Sequence, residues 1–265
     1  MPTLQDIVGA IESFAHPGLQ ESWDNTGWQL TPTTPAATEC TGVLVCLDVT
    51  PERVDEAAAS GCNLIVSHHP LIFRGLKSIT GATPSERTVL SAIGRGIAVY
   101  SSHTALDSAS LGVSHELGRL LGLTSMEVLS QGCEPGTGLG VLGRFPLPME
   151  RAEFIARVKE VYGSPVVRVT GGPDGVTAIS RVALCSGSGG EFITLARALG
   201  AEAYITSDVR YHDFLDYGRD LLIVDTGHYE SEKCTKSIFS RIISEKFPNF
   251  AVRMSQSEQN PVAYV

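Results

Sequence analysis

Short, uninterrupted apolar segments that alternate with helix-forming segments are the feature that most restricts the fold of this chain. The segments "GVLVCLDV" (42–49), "NLIVS" (63–67) and "IAVYSS" (97–102) lack the apolar–polar alternation of a strand with one wet face. Helix signals separate them, such as Thr50 as an N-cap followed by Pro51 at the first helical position. This alternation predicts a parallel sheet covered by helices on both faces, which is an α/β fold.

The second half of the chain repeats this pattern after a glycine-rich break, "SQGCEPGTGLG" (130–140). The predicted strands and helices of this half cover, in order, 141–145, 149–162, 165–170, 180–185, 191–200, 203–207, 221–225, 231–246 and 250–255. We therefore predict two α/β domains with mostly parallel or mixed sheets. Residues 1–129 plus 223–265 are expected to form one domain, which carries the candidate ligands, and residues 130–222 the other.

Charge and cysteine content restrict the classes of function and the cellular compartment expected for this chain. The net charge of −9 over 265 residues weighs against a passive binder of nucleic acids or membranes. No apolar run approaches the ~20 residues of a membrane helix. The first basic residue is Arg53, so the basic start of a signal peptide is missing. The six cysteines form no Cys-x-x-Cys pair, which favours reduced core cysteines in a cytoplasmic protein.

Histidines and carboxylates follow three of the predicted strands. His68 and His69 end "NLIVSHHP", and His103 and Asp107 follow the strand of "IAVYSSHTALD". The strand in "LLIVDTGHYESE" leads to His228 and Glu232. Open α/β sheets bind ligands beyond the carboxyl ends of their strands, so these side chains are expected to share one metal site. A lone buried histidine is more often a hydrogen-bonded core residue, but the repetition at three strand ends argues against that interpretation here.

The spacing of these residues favours two metal ions. Adjacent residues on extended backbone point in different directions, so His68 and His69 suit one ion each. His228 and Glu232 are four apart near a helix start, and their side chains lie on one face. Because a carboxylate has two oxygens, Glu232 is our candidate for the bridge between the ions.

Three further segments have a functional and a structural interpretation. "ITSDVRYHDF" (205–214) is either a polar loop or a wall of the site, with Asp208, Arg210 and His212 as candidate substrate-binding residues. "SGSGG" (186–190) precedes a predicted helix and could cradle a phosphate, but it lacks the complete fingerprint of a nucleotide loop. "SWDNTGWQL" (22–30) carries two tryptophans, for which packing is the favoured role. His16 and His115 are interpreted as structural or surface residues.

Six segments together resemble a known family. They are "ESWDNTGWQL", "IVSHHPLIF", "SSHTALD", "CSGSGG", "YITSDVRYHD" and "DTGHYESE", in this order. In them the chain resembles the NGG-interacting-factor-three-like family, a dinuclear metal-centre family whose members are often called GTP cyclohydrolase type 2 homologues. The resemblance runs from Trp23 to residues 260–262.

The resemblance implies a ligand set, an architecture and an assembly. The family's metal ligands match His68, His69, Asp107, His228 and Glu232, and His103 matches a histidine beside the metals. The implied architecture is two interlinked α/β domains in a homohexameric ring. Some members carry an inserted domain in mid-chain, and the short 130–140 break identifies this chain as the short form.

Two functions are consistent with these residues. The preferred function is a divalent-metal-dependent hydrolase, with His103 as the catalytic proton shuttle and a small anionic substrate such as a nucleotide. The alternative is a non-catalytic metal-binding, metal-storage or scaffold protein that forms a ring. Imidazole and carboxylate ligands suit zinc, iron, manganese, cobalt or nickel, so the identity of the two expected ions stays open.

Overall fold

The computed structural model describes residues 1–173 and 177–265 of the chain. The helices are α1 (Leu4–Phe14), α2 (Pro51–Ala59), α3 (Pro84–Gly94), α4 (Thr104–Ser108), α5 (Val113–Leu121), α6 (Arg151–Tyr162), α7 (Ile193–Ala198), α8 (Tyr211–Tyr217), α9 (His228–Glu232) and α10 (Thr235–Lys246). The strands are β1 (Gly27–Leu30), β2 (Val43–Cys46), β3 (Leu64–Ser67), β4 (Ala98–Ser101), β5 (Thr124–Gln131), β6 (Gly138–Glu150), β7 (Arg168–Val169), β8 (Ala178–Ser188), β9 (Ala203–Ser207), β10 (Leu222–Asp225) and β11 (Val252–Met254). None of the helices in these ranges combines the length and hydrophobicity needed to cross a lipid bilayer.

The chain divides into two compact units, and each unit has its own sheet. The first unit contains residues 1–106 and 235–259, and the second contains residues 107–234 and 260–265. Each unit thus draws on two separate segments of the chain. The predicted α/β class with parallel and mixed sheets is confirmed.

The units do not follow the predicted domain boundaries of 1–129 plus 223–265 and 130–222. Strands β5 and β6 pair in antiparallel fashion, so the glycine-rich break at 130–140 contains a hairpin turn within the second unit. Strand β10 pairs in parallel with β9 and therefore also belongs to the second unit. Glycine clusters mark tight turns as readily as linkers, which is why composition alone misplaced this boundary.

The sheet of the first unit has the order β1-β4-β3-β2-β11, and all neighbours except β1 and β4 run parallel. Every residue of β2, β3 and β4 is buried, as the uninterrupted apolar segments predicted. Leu44, Ile65 and Val99 form one core with helices α2 and α3. Successive side chains of a strand point to opposite faces, and α10 contacts β2 on the sheet as well. Helices therefore bury both faces of this sheet.

The register of these strands brings their carboxyl ends to the same level. Cys46 of β2 pairs with Ser67 of β3, which in turn pairs with Ser101 of β4. The residues that follow the three strands must therefore emerge at one edge of the sheet. Those residues include His68 and His103.

The sheet of the second unit has the order β5-β6-β8-β9-β10-β7 and is mixed. Strands β8, β9 and β10 run parallel, whereas β5, β6 and β7 are antiparallel to their neighbours. Leu142, Ala183 and Ile223 pack with Ile193 and Ala196 of α7 in one core. Helices α5 and α6 also contact β6 and β8.

Several elements differ from those predicted. The helix expected over 231–246 is two helices, α9 and α10, which are separated at Lys233 and Cys234. The strand expected at 165–170 is only the two residues of β7. Strand β1 was not expected; it pairs antiparallel to β4 through tertiary contacts that no local sequence pattern shows.

Candidate metal centre

Three imidazole rings meet at the carboxyl edge of the first sheet. The ring centroids of His68 and His69 are 5.2 Å apart, and His103 lies 5.2 Å from His68 and 5.5 Å from His69. One nitrogen of each ring falls within 4.8 Å of the others, a separation that a metal ion can span. We refer to His68, His69 and His103 as the histidine cluster. The sequence prediction that β3 and β4 deliver neighbouring imidazoles is met in the geometry of this unit.

Each ring of the histidine cluster is oriented through its Nδ1 atom. The Nδ1 of His68 lies 3.0 Å from the carbonyl oxygen of Ser102, and that of His69 lies 2.8 Å from Oδ1 of Asp48. The Nδ1 of His103 lies 2.8 Å from Oδ1 of Asp24. Carbonyl and carboxylate oxygens only accept hydrogen bonds, so the hydrogen of each neutral ring lies on Nδ1 and the lone pair on Nε2. Partners of this kind orient the imidazole ligands of metal sites.

Asp24 is the most tightly held carboxylate of this group, and its side chain is fully shielded from solvent. Its Oδ2 accepts hydrogen bonds from the backbone N–H of Thr104 at 3.0 Å and from the Thr104 hydroxyl at 2.6 Å. Burial alone would raise the pKa of Asp24, but hydrogen bonds from His103 and Thr104 bring the pKa well below its usual value. Asp24 therefore stays ionised and remains a hydrogen-bond acceptor for the Nδ1–H of His103.

The second unit contains a paired imidazole and carboxylate of its own. Nε2 of His228 lies 2.9 Å from Oε2 of Glu232, one turn along α9. Nδ1 of His228 lies 2.7 Å from Oδ2 of Asp208. Burial alone would lower the pKa of His228, but hydrogen bonds to Asp208 and Glu232 outweigh it and raise the pKa to about 10. A cation bound by this pair would replace the proton that now joins the two side chains.

The glycine-rich segment "SGSGG" makes room for Glu232. Gly187 has φ +63°, and a Cβ atom there would lie 2.2 Å from Oε1 of Glu232. The backbone N–H of Gly187 donates to the Ser231 hydroxyl at 3.0 Å, and that of Gly189 donates to the Thr206 hydroxyl at 2.9 Å. Both N–H groups donate to side chains of the protein and are not presented to a phosphate. The segment instead makes room for Glu232.

Asp107 lies in the same unit as His228 and Glu232 and is held through serine hydroxyls. The Ser186 hydroxyl donates to Oδ1 of Asp107 at 3.1 Å. The Ser114 hydroxyl is 3.1 Å from that of Ser186 and anchors it to α5. Ser186 opens the glycine-rich segment, so one stretch of chain fixes both Asp107 and the space for Glu232.

The predicted substrate-binding residues lie in different places. Asp208 has a left-handed backbone, with φ 55°, and binds His228, so it orients that ring. Asp208 and Arg210 also line a cavity of about 320 Å³ together with Glu191 and Asp213. His212 is exposed on α8 and its ring contacts Tyr211. Arg210 is the cationic side chain among these four residues of the cavity.

Sequence reasoning missed Asp24, Asp48 and Gly187 as contributors to the site. Asp24 lies in "SWDNTGWQL", and Asp48 follows β2 at the same sheet edge as His69. Because Asp48 follows the parallel strand β2, the expectation that ligands bind beyond the carboxyl ends of strands could have identified it. Within the described ranges, His16 and His115 belong to neither group of side chains that could hold a metal ion. Nδ1 of His16 accepts a hydrogen bond from Gly18, which fits the predicted structural role, and His115 lies on α5.

Comparison with known proteins identifies the family. The profile of the DUF34/NIF3 family, described as NGG1p interacting factor 3, matches residues 2–261. The chain belongs to this family. The resemblance found in the sequence motifs is thereby confirmed.

Curated relatives and a solved structure agree with membership of the DUF34/NIF3 family. The chain is 35% identical to the "GTP cyclohydrolase 1 type 2 homolog" of Lactococcus lactis, over 97% of this chain and 98% of that protein. It is 35% identical to the "Protein NIF3 homolog" of Schizosaccharomyces pombe, over 84% of this chain and 82% of that protein. The Bacillus cereus protein related to NIF3 matches 100% of this chain and 99% of its own with a TM-score of 0.89. Its sequence identity is 24%, so this likeness shows the fold alone.

Proposed function

We propose that this DUF34/NIF3 chain is a divalent-metal-dependent hydrolase with a dinuclear metal centre. The proposed ligands are His68, His69, Asp107, His228 and Glu232. The observation that carries the proposal is the histidine cluster, in which three imidazoles offer nitrogens within 4.8 Å of one another and each ring is oriented by an oxygen at Nδ1. The buried carboxylate of Glu232, one turn from His228, supports the same chemistry in the second unit.

The donor set fits divalent transition metals. Imidazole nitrogens and carboxylate oxygens suit zinc, iron, manganese, cobalt or nickel, whereas a site built for copper(I) would use thiolates. Burial raises the pKa of the Cys234 thiol to about 12, with the charge of Glu116 as the next cause, which favours the thiol over the thiolate. Imidazoles and carboxylates, rather than thiolates, are therefore the ligands that this chain offers.

His103 and Asp24 would carry out the proton transfer of the reaction. Divalent ions at such a site supply Lewis-acid activation of water and of a substrate oxygen. Asp24 holds the hydrogen on Nδ1 of His103, so Nε2 of His103 is the atom that accepts a proton from the nucleophile and returns it to the leaving group. The ionised Asp24 stabilises the imidazolium that forms in between, as the carboxylate of a catalytic triad does.

A small anionic substrate, with nucleotides as the first candidates, fits this site best. The Lactococcus lactis relative is named a GTP cyclohydrolase 1 type 2 homolog, a name that refers to a nucleotide. Arg210 at the 320 Å³ cavity could offset part of the substrate's charge. The overall charge of −9 makes such local cations necessary for an anion to bind.

A screen for turnover tests the proposed function. Protein loaded separately with zinc, manganese, iron or cobalt is expected to hydrolyse at least one nucleotide or phosphoester. Removal of the metal by a chelator should abolish this activity, and re-addition should restore it. If no metal form shows turnover but the protein passes its ions to an acceptor chelator or protein, the alternative of a metal-storage or scaffold protein replaces the hydrolase.

We also propose that the chain assembles as a homohexameric ring, on the basis of the family resemblance. Light scattering is expected to give six times the chain mass of 28.2 kDa across dilute concentrations. A stable mass of 28.2 kDa under these conditions would exclude the ring. The metal proposal does not depend on this result, since its ligands all belong to one chain.

A further inference from the structure

Two large aromatic side chains are exposed beside the histidine cluster. Trp23 is 57% exposed and Phe73 is 47% exposed. Both rings meet His103 edge to face, with centroids 6.0 Å and 6.1 Å away, and they lie 6.0 Å from each other. Large exposed aromatics gathered at one point commonly mark a binding surface. We refer to Trp23 and Phe73 as the aromatic platform.

Hydrogen bonds from the neighbouring residues hold the platform in place. Asp24 binds His103, which fixes the position of Trp23 through the adjacent backbone. The side-chain amide of Asn25 donates to the carbonyl oxygen of Ile72 at 2.7 Å, one residue before Phe73. The N–H of Ile72 donates to Oε1 of Gln29 at 3.1 Å. The two segments that carry the aromatic rings are thus tied together, so a ligand would meet a preorganised surface.

Packing explains the other tryptophan of this motif but not Trp23. The ring of Trp28 lies 5.5 Å from that of Tyr100, which is fully buried in β4. The packing role predicted from the sequence therefore fits Trp28. Trp23 leaves more than half of its surface in solvent, so a ligand role accounts better for its position.

Cations follow the platform in the sequence. Arg74 is adjacent to Phe73, Lys77 lies three residues further, and both are exposed. In a chain with a net charge of −9, two exposed cations that closely follow Phe73 in the sequence favour a ligand that is both flat and anionic. A nucleotide combines these properties, since its base has a π-face and its phosphate carries negative charge.

We propose that the aromatic platform binds the base of a nucleotide and thereby sets the substrate class of the site at the histidine cluster. The proposal rests on the proposed function for the identity of the site, but base binding itself requires no metal. The base stacks on Trp23 with Phe73 at its edge, and the phosphate extends towards Arg74. Stacking of this kind tolerates any base, so the platform selects nucleotides over phosphosugars rather than one base over another.

The test uses Trp28→Phe protein, in which Trp23 is the remaining tryptophan. Guanosine 5′-monophosphate added to chelator-treated protein is expected to quench the fluorescence of Trp23 to saturation, and ribose 5-phosphate is not. Calorimetry then compares variants that keep Trp28. Trp23→Ala should weaken nucleotide binding by roughly 5- to 150-fold, the usual loss for one stacked base, whereas Trp23→Phe should keep most of the affinity.

Each outcome separates the platform from the hydrolase. Equal nucleotide affinity in Trp23→Ala and unaltered protein would overturn the platform, even if the metal-loaded protein is an active hydrolase. Trp23 that is inaccessible to a soluble quencher in the assembled protein would overturn it as well. Nucleotide binding that depends on Trp23, in a protein without any turnover, would support the platform and contradict the proposed hydrolase function. Circular dichroism of each variant confirms that it is folded.

Discussion

Replacing His103 with alanine is expected to lower the hydrolysis rate by roughly 10²–10⁴-fold, the contribution typical of a general acid–base group. The substitution removes the Nε2 atom that moves the proton but leaves all five proposed ligands. Metal content by elemental analysis should therefore stay near that of the unaltered protein. The measurement is kcat with a substrate found in the screen, taken at saturating metal.

His115→Ala is the matched control for this substitution, because it removes a histidine that is outside the proposed centre. It should retain full activity and metal content. Asp24→Asn tests the same proton transfer. The amide of Asn can donate to Nδ1 of His103 and force the hydrogen onto Nε2, which is the wrong tautomer for accepting a proton there. A His103→Ala protein with an unchanged rate would remove His103 from catalysis. A His103→Ala protein that loses its metal would make His103 a ligand instead.

Replacing Gly187 with alanine is expected to cost both stability and metal. The left-handed backbone, with φ +63°, strains any residue with a Cβ atom, at a cost of about 1–3 kcal/mol in the free energy of unfolding. The new Cβ would lie 2.2 Å from Oε1 of Glu232, so the carboxylate must leave its place beside His228. Denaturant unfolding and elemental analysis should both show the loss.

Gly171→Ala is the control for the glycine substitution. A Cβ atom at Gly171 meets no atom within 4 Å, and its φ lies outside the left-handed region. This variant should therefore match the unaltered protein in stability and in metal content. If Gly187→Ala also matched it in both, Glu232 would not depend on the glycine-rich segment for its position, and its role as a ligand would need another basis.

The sequence predicted the parts of the fold that burial determines. The strands β2, β3 and β4 are buried on both faces, so each reads as an uninterrupted apolar segment, and the histidines at their ends followed from strand direction. The hairpin between β5 and β6 escaped prediction because the glycines of 130–140 signal a turn without showing which strands it joins. Pairing between distant strands is settled by tertiary contacts.

The candidate ligands could be predicted from the sequence, but the groups that orient them could not. His68, His69 and His228 follow strands or open a helix, which are local features. Asp24 reaches His103 across 79 positions of the chain, and Asp208 reaches His228 across 20. The sequence places Gly187 in a candidate phosphate loop. Only the folded chain shows that the carboxylate of Glu232 lies against it. Residues that act through a distant partner leave no periodic or spaced pattern in the sequence.

The most direct test of the dinuclear centre is the metal content of the protein, measured by elemental analysis together with anomalous scattering from crystals. Protein made without added metal and then saturated with one divalent ion is expected to hold two ions per chain. Glu232→Gln should lower the occupancy of both positions, and His228→Ala should empty mainly one. The absence of bound ions in saturated protein, or a full pair of ions in Glu232→Ala protein, would contradict the proposed centre.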